Sequence, residues 1–294
     1  MFEAIQAILF GVLQGLTEFF PVSSTAHLVL FEDIARKIWG AAGPLTEAQK
    51  SAMVVQTVAV HLGTTLAVLI LFYREVIDIL KECPVILRKA FVERKPLEAV
   101  QGAGHVPIIV AIVIATLPTG IIGLVLKKSF EWMLSSPGAV GIALAVTGVV
   151  LWATRWFDRS RGGASAEAGC KPLTMFRAFI MGIAQGIAVT PGISRSGATI
   201  STGLFLGLER ETAGKFSFLL SVPAVLAANL LELKDVKTLG AVQIHNIIGA
   251  TIAAAVVGYI CLRLVMPIIK RGRFYFFAYY CWFAAIAALI LSCL

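Results

Sequence analysis

The chain of 294 residues is strongly apolar: 58% of its residues are hydrophobic and 14% are charged, against about 25% charged residues in a typical soluble domain. Its formal net charge is +8, but no basic run is interleaved with base-stacking aromatic residues, so we expect no nucleic-acid partner. The composition excludes an ordinary soluble domain and indicates an all-α polytopic membrane protein.

Two regions of the chain are apolar but are interrupted in the middle by a proline and a cluster of small polar residues. Residues 1–38 and 173–208 are each predicted to form a re-entrant helical hairpin, which enters and leaves the membrane on one side. Three uninterrupted apolar spans follow each hairpin, and each is close to the roughly 20 residues that a helix needs to cross a bilayer. The predicted spans are residues 52–72, 107–126, 138–155, 213–231, 246–265 and 274–294.

The two interrupted regions resemble each other in sequence. GVLQG at residues 11–15 matches GIAQG at 182–186, and PVSS resembles PGIS at the two breaks. A hairpin followed by three crossings makes an odd number of crossings, so a second copy begins on the opposite side of the membrane. The sequence therefore predicts two inverted-topology repeats, residues 1–155 and 173–294, with a site near the midplane where the hairpins meet.

Lysine and arginine are distributed unequally between the two faces that this topology defines. Of the 25 such residues, 17 fall in loops on one face, 7 fall on the other, and Arg195 lies within the second hairpin. The positive-inside rule places the richer face in the cytoplasm, so the first hairpin and both termini are expected on the exoplasmic side.

The first hairpin carries polar and titratable side chains ahead of the first Lys or Arg of the chain. Gln14 and Glu18 are four residues apart and share one helix face, and Ser24 and His27, three apart, share a face of the next helix. A charge inside a membrane segment is by default a functional hypothesis. For Glu18 the alternative is a structural ion pair with Arg195 that holds the two hairpins together.

The second hairpin places an arginine at its break, in the stretch TPGISRSGATIST. Pro191 and Gly192 are predicted to end one helix, and Ser194 or Ser196 to cap the next. Arg195 would then stand at a helix N-terminus, a natural anion site, with a planar fork that matches phosphate oxygens. A hydroxyl, an acid or base and a cation beside an anion pocket form the minimum set for phosphoryl transfer.

These two stretches resemble the signatures of the undecaprenyl-diphosphate phosphatase family, the type also called the bacitracin-resistance protein. The motif (E/Q)xxxE followed by PVSSTxH stands at residues 14–27, and PGxSRSGxT stands at 191–199. The resemblance covers nearly the whole chain. It implies hydrolysis of undecaprenyl diphosphate to undecaprenyl phosphate and inorganic phosphate, which recycles the lipid carrier for cell-wall synthesis and confers bacitracin resistance.

The resemblance also implies site residues, a cofactor and a location. Glu18, Ser24, His27 and Arg195 fall on the family's catalytic positions, and Glu18 would bind a divalent cation, Mg or Ca. The implied substrate-binding positions are Gln14, Ser23, Thr25, Ser194, Ser196, Gly197 and Thr199. The implied location is the bacterial cytoplasmic (inner) membrane, with the active site on its exoplasmic side.

Several alternatives stay open at this point. Gln14 stands where many family members have glutamate, and an amide binds a cation more weakly than a carboxylate. Either Ser24 or His27 is a candidate nucleophile, and we favour Ser24 with His27 as its base or as the leaving-group acid. An inverted-repeat transporter or flippase of a lipid phosphate is the competing function. We expect a polyprenyl diphosphate and membrane lipids as partners, with a homodimer as an open alternative.

Overall fold

The computed structural model describes residues 2–38, 47–88, 93, 106–133, 136–160, 170–232 and 241–293. Every regular element in these ranges is a helix. The helices are α1 (Phe2–Glu18), α2 (Ser24–Ile38), α3 (Glu47–Leu71), α4 (Tyr73–Leu87), α5 (Val106–Met133), α6 (Pro137–Ser160), α7 (Met175–Ile187), α8 (Arg195–Phe205), α9 (Arg210–Glu232), α10 (Ala241–Lys270) and α11 (Phe277–Cys293), the last preceded by a 3-10 turn, Phe274–Phe276.

Six helices in the described ranges are long and apolar enough to cross a membrane, and they overlap the six predicted spans. Their apolar segments have mean hydropathies of 1.4 to 2.6. They are Val54–Leu71, Ile108–Leu126, Pro137–Trp156, Arg210–Leu230, Gln243–Lys270 and Phe274–Cys293. The protein is therefore an all-α, multi-pass membrane protein, as its composition indicates.

The two interrupted regions form helical hairpins, α1 with α2 and α7 with α8. The two ends of the second hairpin meet, because the Lys171 N–H donates to the Gly207 carbonyl at 3.0 Å. The Arg177 guanidinium donates to the carbonyls of Pro172 and Leu206 at 2.7 and 3.3 Å, which ties the same two ends together. Helix α7 has 13 residues and is about 20 Å long at 1.5 Å per residue, less than the roughly 30 Å of a hydrocarbon core.

Glycines let the first helix of each hairpin pack closely against a span from the other half of the chain. A Cβ atom at Gly11 of α1 would collide with the Ala250 carbonyl of α10, and one at Gly182 of α7 would collide with the Ala115 carbonyl of α5. The second glycine of each GxxxG follows the same pattern, since Gly15 contacts α10 and Gly186 contacts α5. Only a missing side chain permits such approach, as in other small-xxx-small helix contacts in membranes.

The turn of each hairpin contains a residue in the left-handed region. Gly192 has φ 95° and lies against the Val140 carbonyl of α6, a position that combines a strained backbone with a close contact and therefore suits glycine. The Thr147 hydroxyl secures this turn by donating to the Gly192 carbonyl at 3.0 Å and accepting from the Ser194 N–H at 3.1 Å. In the first hairpin Ser23 has φ 63°, a conformation that is rare for a residue with a side chain.

An ion-pair network joins the ends of three helices on one face of the protein. The Lys215 ammonium lies 3.6 Å from the carboxylate of Glu75 on α4 and 3.3 Å from that of Glu211 on α9. The Lys270 ammonium at the end of α10 lies 2.7 Å from the Glu211 carboxylate. The start of α4, the start of α9 and the end of α10 therefore lie on one face of the protein.

Candidate active site

The tips of the two hairpins meet inside the helix bundle. Glu18 is the last residue of α1 and Arg195 the first residue of α8, and Arg195 Nη2 donates a hydrogen bond to Glu18 Oε1. The Ser196 hydroxyl lies 3.5 Å from the Phe20 carbonyl. A Cβ atom at Gly197 would lie in ordinary contact, 3.4 Å, with the Cβ of Pro21, so the two turns are direct neighbours. Residues 177 positions apart in sequence thus form one polar cluster.

Glu18 is the centre of this cluster. Its Oε2 atom accepts hydrogen bonds from Gln14 Nε2 at 2.8 Å and from the Ser24 hydroxyl at 2.6 Å, and His61 Nε2 lies 3.5 Å from it. The Glu18 side chain is 4% exposed and the Arg195 side chain 23% exposed. A carboxylate this deeply buried is tolerable because a guanidinium and two further donors compensate its charge.

Ser24 combines a helix N-terminus with a bond to a carboxylate. It is the first residue of α2, directly after Ser23, whose hydroxyl oxygen accepts from the Ala26 N–H at 3.4 Å. The Ser24 hydroxyl donates to Glu18, which is the arrangement of a nucleophile beside a group that can take its proton.

The N-terminus of α8 provides a second anion-binding element. Ser194 is its cap, and its hydroxyl oxygen accepts from the Gly197 N–H at 3.1 Å. Ser196 lies 3.3 Å from Ser194, oxygen to oxygen, and the Thr199 hydroxyl donates to the Arg195 carbonyl at 2.8 Å. Two helix N-termini, one of which begins with an arginine, bring together N–H donors and a positive charge, which are groups suited to bind a phosphate.

His27 and Thr25 are placed differently from the other predicted site residues. Thr25 is half-buried in the first turn of α2. The imidazole of His27 contacts the Ser23 carbonyl through Nδ1 and the Tyr280 hydroxyl through Nε2, each at 2.8 Å, and the Ser24 hydroxyl is bonded to Glu18 instead. The assignment of His27 as the base for Ser24 stays a prediction, and Glu18 is the base candidate that the contacts favour.

Two residues at or near the site escaped the sequence analysis. His61 of α3 lies beside the Glu18 carboxylate. It is a titratable residue in the apolar run VAVHLGTTLAV of a membrane span, and such residues indicate a functional site, so the sequence could have identified it. Tyr280 of α11, which contacts His27, carried none, because tyrosines are common in membrane segments.

The polar residues offer oxygen ligands for a divalent cation but no complete protein site. In the described ranges there is no cluster of three or more His, Cys, Asp or Glu residues that could hold a metal ion. Gln14 is fully buried and its Oε1 atom has no hydrogen-bond partner, so it is an available acceptor beside Glu18. This pair fits a hard cation such as Mg²⁺, which takes one or two protein oxygens and completes its shell with phosphates and water.

Comparison with known proteins identifies relatives over the full length of the chain. The family model described as Bacitracin resistance protein BacA matches residues 7–287. The undecaprenyl-diphosphatase of Desulforapulum autotrophicum is 38% identical over 288 residues, covering 98% of both chains. Proteins of the same name from Desulfosudis oleivorans and Methanosphaera stadtmanae are 41% and 35% identical, covering 95% and 99% of both chains.

Proposed function

The chain belongs to the bacitracin resistance protein family, BacA, and on this premise we propose that it is an integral-membrane phosphatase that hydrolyses undecaprenyl diphosphate. The products are undecaprenyl phosphate and inorganic phosphate. The reaction returns the lipid carrier to cell-wall synthesis and gives resistance to bacitracin. The observation that carries the proposal is the hydrogen bond of 2.6 Å from the Ser24 hydroxyl to a buried carboxylate that also pairs with Arg195.

In the first step Ser24 Oγ attacks the terminal phosphorus of the diphosphate. The Ser24 proton passes to Glu18 along the existing hydrogen bond, and the anhydride P–O bond breaks as the new O–P bond forms. The lipid monophosphate leaves with the electrons of the broken bond. Glu18 gives the proton it holds to the departing phosphate oxygen and is ionised again. Water then attacks the phosphoserine, and Glu18 takes a proton from that water and returns it to the serine oxygen as the serine O–P bond breaks and inorganic phosphate leaves.

Arg195 and the two helix N-termini stabilise the phosphoryl group in this scheme. They provide positive charge and N–H donors where negative charge collects on the phosphate oxygens, a dominant contribution in phosphoryl transfer. Arg195 already pairs with Glu18 before substrate arrives. When phosphate binds, the N–H donors of Arg195 must therefore be shared between the Glu18 carboxylate and the phosphate. Gln14 and Ser24 continue to stabilise Glu18 during that exchange.

A divalent cation, Mg or Ca, is the proposed cofactor. Glu18 and the unpaired Gln14 Oε1 would hold it together with diphosphate oxygens. When bound, it neutralises charge on the diphosphate.

The proposed topology is two inverted repeats, residues 1–155 and 173–294, in a bacterial cytoplasmic membrane with the site on the exoplasmic side. The paired packing of Gly11 on α10 and Gly182 on α5 supports the repeat, since equivalent helices exchange partners between halves. The ion-pair network around Glu211 supports the grouping of basic loops on one face.

The test is phosphate release from undecaprenyl diphosphate by the full chain in detergent, with and without a chelator. We expect chelator-sensitive release by the wild type and loss of release in Ser24→Ala and Arg195→Gln. Ser292→Ala is the matched control, because its hydroxyl donates to the Leu289 carbonyl near the C-terminus and takes no part in the polar cluster around Glu18. A folded wild type that releases no phosphate, or a Ser24→Ala variant at full rate, would refute the scheme and redirect attention to lipid-phosphate transport.

A further inference from the structure

His27 is fixed by a tyrosine from the far end of the chain. The His27 and Tyr280 rings are nearly parallel, with an interplanar angle of 11° and centroids 5.6 Å apart, and His27 Nε2 lies 2.8 Å from the Tyr280 hydroxyl. These residues are 253 positions apart and join α2 to α11. The proposed reaction does not use this contact, although it lies one helical turn from the proposed nucleophile.

The two contacts of His27 determine which ring nitrogen carries the proton. The Ser23 carbonyl can only accept, so His27 Nδ1, at 2.8 Å from it, must be the N–H donor. In the neutral ring Nε2 then has a lone pair, and the Tyr280 O–H donates to it. A chain of two hydrogen bonds therefore runs from Tyr280 through His27 to the Ser23 carbonyl.

The Ser23 carbonyl belongs to a residue with an unusual backbone conformation, directly before the proposed nucleophile. Ser23 has φ 63°, in the left-handed region that residues with a Cβ disfavour. The first backbone bond of α2, from the His27 N–H to the Ser23 carbonyl, is long at 3.4 Å, whereas the His27 ring bond to the same oxygen is 2.8 Å. The ring thus supplies the shorter of the two recorded bonds that hold this carbonyl, and Ser24 is the next residue.

We propose that Tyr280 and His27 are positioning residues that brace the Ser23 turn and so aim the Ser24 hydroxyl at the phosphorus. The inference rests on the proposed function and deepens it. His27 acts through the Ser23 carbonyl, and Tyr280 acts through His27. The proton of Ser24 goes to Glu18, so the Ser24 attack needs no proton transfer to His27.

Amide substitutions at His27 separate bracing from acid–base chemistry. In His27→Asn the amide nitrogen takes the place of Nδ1 and still donates to the Ser23 carbonyl, whereas in His27→Gln it takes the place of Nε2 and reaches toward Tyr280 instead. We expect His27→Asn to keep kcat within about tenfold of wild type. In His27→Gln and His27→Ala we expect kcat to fall about a hundredfold, because a misplaced reacting group has an effect of this size. KM changes less than kcat in each, because Arg195 and the N-terminus of α8 still bind the phosphate.

Tyr280→Phe removes the hydroxyl and keeps the ring. We expect it to lower kcat about fivefold, the effect of one neutral hydrogen bond. In the His27→Asn background the same change should not lower kcat further, because the contact between the two residues is already lost. Tyr279→Phe is the matched control, since the Tyr279 ring packs edge-on against Trp152 at 5.4 Å. It should leave kcat and KM unchanged.

Nitrogen NMR of the full chain, with ¹⁵N-labelled histidines at all four positions, detects the contact of His27 with Tyr280 independently of enzyme activity. The Nε2 resonance of His27, assigned by its loss in His27→Asn, should shift in Tyr280→Phe and stay in place in Tyr279→Phe, also in the Ser24→Ala background. A His27→Asn variant as inactive as His27→Ala, or an unshifted resonance, would overturn the proposal. A wild type without phosphate release would refute the proposed function, and with it the purpose of the brace, even if the resonance shifts.

Discussion

The buried ion pair between Glu18 and Arg195 predicts strong energetic coupling between the two hairpins. In Arg195→Gln the Glu18 carboxylate stays buried and loses the donor on Oε1, although Gln14 and Ser24 still serve Oε2. Breaking one side of a buried pair costs about 3–5 kcal/mol, and the remaining donors favour the lower end, about 3 kcal/mol. In Glu18→Gln the leftover guanidinium is partly exposed at 23%, so we expect a smaller loss of about 2 kcal/mol.

The double variant Glu18→Gln with Arg195→Gln removes both charges at once. It should be destabilised by less than the sum of the single variants, with a coupling free energy of about 2 kcal/mol or more. The free energy of unfolding in detergent, followed by the fluorescence of the five tryptophans, measures all three variants. Losses that add to within about 0.5 kcal/mol would show that the two residues do not interact, and would refute the meeting of the hairpin tips. Arg195→Lys is the control that keeps the charge.

Three further predictions follow from other contacts. Gln14→Glu places a second carboxylate at the proposed cation site, so phosphate release should need less Mg²⁺, and an unchanged or higher Mg²⁺ requirement in a titration against chelator would contradict this. Gly182→Ala should lower the free energy of unfolding by about 1–3 kcal/mol. Gly120→Ala is the control, because a Cβ there meets nothing within 4 Å. Equal melting temperatures of the two variants would count against the close contact of α7 with α5. In a cysteine-free background and intact cells, a membrane-impermeant thiol reagent should label Ser136→Cys and spare Arg271→Cys, and the reverse pattern would invert the topology.

Local contacts along one helix were predictable from spacing alone. Gln14 and Glu18, four residues apart, bond as expected because i and i+4 side chains lie above one another on a helix. Ser24 and His27 show the limit of the same rule. They share a face, but the orientation of the imidazole is set by the Ser23 carbonyl and by Tyr280, so the ring does not contact the Ser24 hydroxyl.

The meeting of Glu18 with Arg195 was predictable only through the repeat, which suggested that the two breaks face each other. Spacing says nothing about residues 177 positions apart, but two broken segments in a hydrocarbon environment must place their polar groups against one another or against water. The approach of His61 to Glu18 had no comparable rule, because nothing in α3 fixes which way that span is rotated.

The sequence by itself determined the membrane class, the six spans, the two interrupted hairpins and the motif residues, because hydropathy and helix-breaking residues act locally and the solvent is lipid. The tertiary structure alone decided which distant side chains complete the site. Gly11 and Gly182 allow backbone contact with α10 and α5, and this packing sets the depth and rotation of each hairpin. Side chains such as Tyr280 reach their partners only after those rotations are fixed, because a helix face is chosen by packing against its neighbours and not by its own residues.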